Sequence, residues 1–201
     1  MATFIPSEID HTDAYKLMTG LVVPRPIGWI GTVDTEGRPN LAPYSFFQAV
    51  ATNPPVVLFS AGVTDGHEKD SLLNARTTGE FTCNLVDGAT AEGMNQSAAE
   101  LGRGESEFDF AGLTPEPSEV IGAPRVQEAK ASFECRVQQI IELGNPPFTH
   151  AVVFGEVLRI HVDDAVLDGT RVDFEALDAI GRLAGNYYAT TRDRFDITRP
   201  D

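Results

Sequence analysis

The chain has 201 residues, 42% of them hydrophobic, enough to bury a substantial core, and it reads as a single domain over residues 1–201. Lys and Arg number 15 against 30 Asp and Glu, a formal net charge of −15, which argues against a protein built to grip nucleic acid or an anionic membrane surface. No segment approaches the roughly 18 consecutive apolar residues of a membrane span, and the first residues lack a basic region followed by an apolar run, so a cytoplasmic protein is the expectation.

In chain order, Ser7 to Leu17 reads as a short helix, with Ser7, Asp10 and Thr12 as candidate caps and Ala14, Leu17 and Met18 at helical spacing. Pro24 and Pro26 stop it. Pro26 to Val33, rich in Ile, Trp, Thr and Val, reads as a strand, Asp34-Thr35-Glu36-Gly37 as a reversal, and a second strand begins at Pro39-Asn40-Leu41-Ala42. The segment that follows, Pro43-Tyr44-Ser45-Phe46-Phe47, places a hydroxyl and several backbone groups among aromatic rings, a setting for a flat, partly polar ligand. Asn53-Pro54-Pro55 reads as a turn and Val56 to Ser60 as a strand buried on both faces.

Gly62 to Gly66 reads as a loop into a helix that Asp70 or Ser71 caps and Gly79 ends, and Phe81 to Val86 as a further strand. The polar stretch Ala89 to Ala99 holds a helix around Met94. Between Ser106 and Pro117, Phe108, Phe110 and Leu113 lie in a Gly- and Pro-punctuated excursion expected to cover one end of a barrel, with a subunit interface or a ligand-covering flap as the alternatives. Ala131 to Leu143 and Ala151 to Val162 form a long hairpin around Gly144-Asn145-Pro146-Pro147, with Gly155 marking a bend or bulge. Phe174 to Ala179 reads as a short helix, and Gly181 to Ala189 as a last strand-like segment. Cys83 and Cys135 sit in strand-like runs without neighbouring ligands, the pattern of reduced core thiols, with a disulfide or redox pair as the alternative. Many strands and few helices make a mainly β chain, a closed antiparallel barrel with short peripheral helices.

No metal-ligand spacing, nucleophile elbow or nucleotide-binding glycine loop is present, and His11, His67, His150 and His161 are scattered. The segments that remain carry binding chemistry instead. Lys69-Asp70-Ser71 at a helix start offers free N–H groups, the positive end of the helix dipole and one full charge to an anion, with Asp70 read as a cap.

The order of RPIGWIGT, GRPNLAPYSFFQAVATNPPVVLFS and KDSLLNARTTGEFTCNLV, resumed in FECRVQQIIELG, VVFGEVLRIHV and GRLAGNYYATTRDRF, resembles the flavin reductase-like family, which includes flavoredoxin-like proteins and reductase components of two-component monooxygenases. The resemblance spans nearly the whole chain, with residues 99–125 the least diagnostic. It implies an FMN-binding split β-barrel, an antiparallel Greek-key barrel, in which Asn40, Ala42, Pro43, Tyr44, Ser45, Phe46 and Phe47 line the flavin ring, much of the contact coming from backbone N–H groups. It places the phosphate at Lys69, Asp70 and Ser71, where many relatives carry Thr in place of Ser71, and offers Arg25 and Ser60 as further phosphate or ribityl contacts. Arg25 as a surface salt-bridge partner is the alternative. Arg182, Asn186, Tyr187 and Tyr188 match a segment that closes over the flavin, often from the partner subunit, and Gln48 stands where relatives often have Asn.

The function implied is an NAD(P)H-dependent flavin reductase with no catalytic triad of its own, NADH or NADPH stacking on the FMN and electrons passing to free flavin or to a partner protein such as a monooxygenase. A flavoredoxin-like FMN carrier with little NAD(P)H turnover is the alternative. A third reading, a relative that has exchanged FMN for haem or serves as an assembly subunit, conflicts with the intact SFF and KDS positions. A homodimer with FMN near the subunit interface completes the expectation.

Overall fold

In a computed structural model, which describes residues 1–102 and 105–200, seven strands form one antiparallel sheet. They are β1 (Gly28–Val33), β2 (Pro39–Tyr44), β3 (Phe47–Thr52), β4 (Pro55–Thr64), β5 (Glu80–Asn84), β6 (Ala131–Asn145) and β7 (Phe148–Val162), in the order β2-β1-β5-β6-β7-β4-β3. The two ends of this order, β2 and β3, are joined in the chain by Ser45 and Phe46 alone. The three steps from Tyr44 to Phe47 reach at most about 11 Å, far less than the width of seven strands, so the sheet must curl until its edges approach. The Ser60 N–H donates to the Phe46 carbonyl at 2.8 Å, carrying the β3–β4 ladder back into this connection. The result is a mainly β split barrel.

Local chemistry explains the first hairpin. Asp34 Oδ1 accepts from the N–H groups of Glu36 and Arg38, each at 2.9 Å, and Gly37 takes a φ of +83° that a side chain would resist. Helix α1 runs His11–Leu21, later than the expected Ser7–Leu17, because Asp10 is the cap that accepts from Thr12 N–H at 2.7 Å, while Ser7 falls in a short 3₁₀ turn, Pro6–Glu8. Helix α2 is Asp70–Thr78, closed by Gly79 in the left-handed conformation. Lys69 occupies its N-cap position, so neither Asp70 nor Ser71 caps it, and the first turn has no side-chain acceptor. Helices α3 (Ala91–Gln96) and α4 (Glu107–Ala111) follow.

Strand β3 escapes a reading of sequence alone because Gln48 to Thr52 are exposed and show no apolar alternation. Strand β4 extends to Thr64, past the Gly62 expected to begin a loop, because its ladder with β7 continues to the Phe148–Thr64 pair. Phe174–Leu177 is the short helix, and the last strand-like segment resolves into Ile180–Arg182 and Tyr188–Thr190, the first of which pairs with both the second and Arg25–Pro26 in a small separate sheet.

The barrel interior holds Ile30, Val57, Phe59, Phe81 and Val153, with Cys83 and Cys135 buried and unbonded among them. Each large apolar side chain buried here contributes about 1.5–3 kcal/mol. Burial pushes both thiols up, away from the reactive thiolate. At Gly155 the β6–β7 register shifts, and a Cβ there would overlap the Phe81 ring. A second cluster, with Trp29, Leu41, Met94 and Phe108, covers the outer face of β1 and β2. The excursion from Ser106 to Pro117 therefore packs on the barrel's flank, where Phe108 is fully buried and Phe110 stays exposed, not over its end.

Candidate functional site

Strand β2 is an edge strand, and its prolines alternate. Asn40, Ala42 and Tyr44 pair with Thr32, Ile30 and Gly28, so the backbone groups of Pro39, Leu41 and Pro43 face outward. Pro39 and Pro43 have no N–H, and the Leu41 N–H donates to Glu107 Oε2 at 3.1 Å. An edge that would otherwise invite another strand is thereby closed to donors, and what it presents outward is carbonyl oxygen. Along Pro39–Pro43 this corrects the expectation of backbone N–H groups, while those of Ser45 and Phe46 lie past the strand.

Alongside this edge lies a cavity of about 390 Å³, bounded by Asn40, Ala42, Pro43 and Tyr44 on one side and by Lys69, Asp70 and Ser71 at the start of α2 on the other. The two segments that sequence reasoning set apart are thus brought together. A direct link joins them, a hydrogen bond between the Tyr44 and Ser71 hydroxyls, both buried. Burial pushes the Tyr44 hydroxyl up to about 12, so it stays neutral in ordinary buffers. The Ser71 hydroxyl lines the cavity while making this bond, and α2 adds its first N–H groups and Lys69. Asn40 turns inward, its Oδ1 accepting from Thr32 Oγ1 at 3.2 Å, and Asn74 donates to the same hydroxyl at 3.1 Å.

Glu107, absent from the residues singled out by sequence, also lines this cavity. Burial raises its carboxyl, only partly offset by the Leu41 N–H and the Asn40 amide. Glu68, Asp70 and Glu100 share the lining, so Lys69 stands among four carboxylates. The segment Ser97 to Leu101 closes the far wall, and Ser97 is held there by the Trp29 indole N–H, which donates to its Oγ at 2.8 Å.

The remaining candidates divide. Arg25, Ser45 and Arg182 surround a second cavity of about 350 Å³ that shares Pro43 and Ala98 with the first. Arg25 is buried and donates to the carbonyls of Thr19, Val22 and Leu183 and to Ser45 Oγ, stitching α1 to the C-terminal hairpin. It is not the surface ion-pair partner considered as its alternative. Tyr188, the strand partner of Arg182, lines this cavity, whereas Tyr187 projects into solvent at 75% exposure. The alternation of the hairpin about Gly185 carries that distinction.

Phe46, Phe47 and Ser60 line neither cavity. Phe46 stacks on His150 with centroids 5.7 Å apart, Ser60 Oγ is hydrogen-bonded to His150 Nδ1 at 3.1 Å, and Phe47 packs over Gly28 against the barrel core. Burial lowers His150, which keeps it neutral near pH 7.

Comparison with known proteins places this geometry. A curated protein of uncharacterized function from Aquifex aeolicus is 43% identical over 187 residues, covering 92% of this chain and 93% of that one. The FMN reductase (NADH) RutF of Enterobacter cloacae is 26% identical over 140 residues, covering 65% of this chain and 74% of its own. Among solved structures, nitrilotriacetate monooxygenase component B from Bacillus cereus superposes with a TM-score of 0.95 at 38% identity, covering 98% of both chains. The 2-nitrobenzoate 2-nitroreductase NbaA of Pseudomonas fluorescens gives a TM-score of 0.90 at 30% identity, covering 99% of this chain and 96% of its own. Residues 19–179 match the flavin reductase like domain, and with that match and these relatives the chain belongs to the flavin reductase-like family.

Proposed function

We propose that the chain binds FMN in the cavity between β2 and the start of α2 and works as an NAD(P)H-dependent flavin reductase, delivering electrons to free flavin or to a partner protein. The observation that carries the reading is the uncapped first turn of α2, with Lys69 at its N-cap position, opening on the same cavity as the Asn40–Tyr44 edge. A phosphate suits free N–H groups, a helix dipole and one cation, and the outward carbonyls of Leu41 and Pro43 suit N–H donors of a flavin ring. Bound flavin would supply the hydride and electron chemistry.

The chain's own groups would bind and position. Lys69 and the first N–H groups of α2 would hold the phosphate, and the Tyr44–Ser71 bond fixes the distance between that end and the ring-binding edge. Glu68 is paired with Arg76 at 3.0 Å, but Asp70, Glu100 and Glu107 on the cavity still oppose a dianion, which favours a flavin that exchanges over one held permanently. The relative RutF, an FMN reductase that uses NADH, supports the donor and the cofactor.

We further propose a cytoplasmic homodimer with flavin near the interface. The exposed Tyr15, Met18, Leu21 and Val22 of the α1 region and Val50 of β3 support it as apolar surface available for burial. Sedimentation of the purified protein tests the dimer. The absorption spectrum of the protein with added FMN, followed by steady-state oxidation of NADH and NADPH, tests the activity. Protein that neither binds FMN nor oxidises either nucleotide refutes the reading, and FMN binding without turnover converts it to an electron carrier.

A further inference from the structure

Of the carboxylates that border the cavity beside β2, three have a reason to stay ionised. Glu68 is paired with Arg76, Asp70 sits in the first turn of α2 at the positive end of the helix dipole, and Glu100 is exposed to water. Glu107 differs. It is 8% exposed, and no ion pair among the described residues includes it. Its Oε2 accepts the Leu41 N–H at 3.1 Å, with the neutral Asn40 amide beside it. Asp70 repels its charge, as would an anion brought into the cavity. Burial has already raised this carboxyl, and a further negative charge close by would raise it more.

The place of Glu107 on the edge gives such a proton a use. Along Pro39–Pro43 the outward groups are carbonyls, because the two prolines have no N–H and the Leu41 N–H is turned to Glu107. A flavin ring presents carbonyl oxygens on either side of its one N–H, so an edge of acceptors alone satisfies only part of it. With Oε2 held by Leu41, Oε1 is left to carry a proton, and its O–H is a donor on an edge that otherwise has none to give. We propose that Glu107 takes up one proton from solvent as FMN enters and offers it to the flavin as the donor that Pro39 and Pro43 withhold. The inference rests on the flavin reading of this cavity and deepens it: binding is proton-linked, tighter in mild acid and looser in mild base. The charged or titratable groups that share the cavity with Glu107 are Tyr44 on β2, which stays neutral, His67 and Glu68 before α2, Lys69 and Asp70 at its start, and Glu100. From α3, which packs on α4, the one charged residue is Glu92, exposed and outside the cavity lining.

The test is calorimetric titration of the full chain with FMN, in pairs of buffers that differ in ionisation enthalpy, so that protons taken up on binding are counted. Because His67 and the FMN phosphate can also exchange protons, wild type is compared with Glu107→Gln, whose amide oxygen still accepts from Leu41 while its NH₂ donates without a charge. Wild type is expected to take up more protons than E107Q at pH 7, the difference approaching one. At pH 8 E107Q should bind FMN more tightly than wild type, by up to about tenfold for each pKa unit that Glu107 rises on binding, and the two affinities should converge as pH falls to 5.5. Glu107→Leu, uncharged but without a donor, should bind less tightly than E107Q. Infrared difference spectra of FMN binding should show a protonated-carboxyl band in wild type that E107Q lacks. Equal proton counts, an affinity ratio flat from pH 8 to pH 5.5, or E107L binding as tightly as E107Q overturns the proposal. Should a variant fail to fold by circular dichroism, the wild-type spectrum decides, and absence of the carboxyl band refutes it. Protein that binds no FMN at any pH sinks the flavin reading and this inference with it, whereas FMN bound without the proton difference sinks this inference alone.

Discussion

Replacing Tyr44 with Phe removes one hydroxyl from the buried pair that ties the edge strand Pro39–Tyr44 to the start of helix Asp70–Thr78. Ser71 is 1% exposed and Tyr44 7%, so water cannot readily take the place of the lost partner. A net hydrogen bond is worth about 0.5–1.5 kcal/mol, but stranding a buried hydroxyl costs about 1–3 kcal/mol, so Tyr44→Phe should destabilise by the larger figure. Ser71→Ala strands the Tyr44 hydroxyl and should cost a similar amount. The double variant removes both polar groups together, and its loss should resemble that of one single variant instead of their sum. For a chain of this size each kcal/mol lowers Tm by roughly 2–4 °C. Urea denaturation of the four proteins at pH 7 reads the cycle cleanly, because burial holds the Tyr44 hydroxyl neutral until about 12. Single variants that add to within about 0.5 kcal/mol would show that the two hydroxyls do not act as a pair, and the argument that the bond sets the length of the site would fall with them.

Lys69→Ala should weaken FMN binding by about 1–3 kcal/mol, read by fluorescence quenching, and the loss should shrink at high salt; unchanged affinity removes Lys69 from the phosphate site. Gly155→Val should destabilise by at least about 1–3 kcal/mol, because the new side chain meets the Phe81 ring and Cys135 in a filled core, and a shift in urea midpoint reports it. Glu134 is a fully buried carboxylate that burial alone would raise, yet the N–H groups of Glu119 and Val120, each donating at 2.8 Å, and His161 at 2.7 Å hold it below its ordinary value of 4.5. Its folded pKa being depressed, its stabilisation is present above the ordinary carboxylate range and lost as pH falls through the folded value. Glu134→Gln should therefore cost about 1–3 kcal/mol at pH 7, with the gap to the parent closing in acid; a gap constant from pH 7 to pH 3 would refute it.

Much of this protein is written locally. The Asp34–Gly37 turn, the cap at Asp10, the stop at Gly79 and the long hairpin around Pro146 each depend on residues within a few positions of one another, and so does the free helix start at Lys69. The alternation of Pro39 and Pro43 on an edge strand is equally local, and it settles which backbone groups face the cavity before any packing is considered.

Other features belong to the closed barrel. Nothing in the exposed run Gln48 to Thr52 marks a strand; it becomes one because Ser45 and Phe46 are too short to do anything but join the two edges of the sheet. The Ser71 hydroxyl reads as a phosphate contact in the sequence, but its bond to Tyr44 from across the barrel is decided by the fold, as is the gathering of Arg25 and Arg182 around a cavity beside the first when the C-terminal hairpin folds beside Arg25–Pro26. A side chain's chemical type and its neighbours along the chain are set by the sequence. Which partner claims its hydrogen bonds, and which of two adjoining hollows it faces, is decided only when strands far apart in sequence come into register.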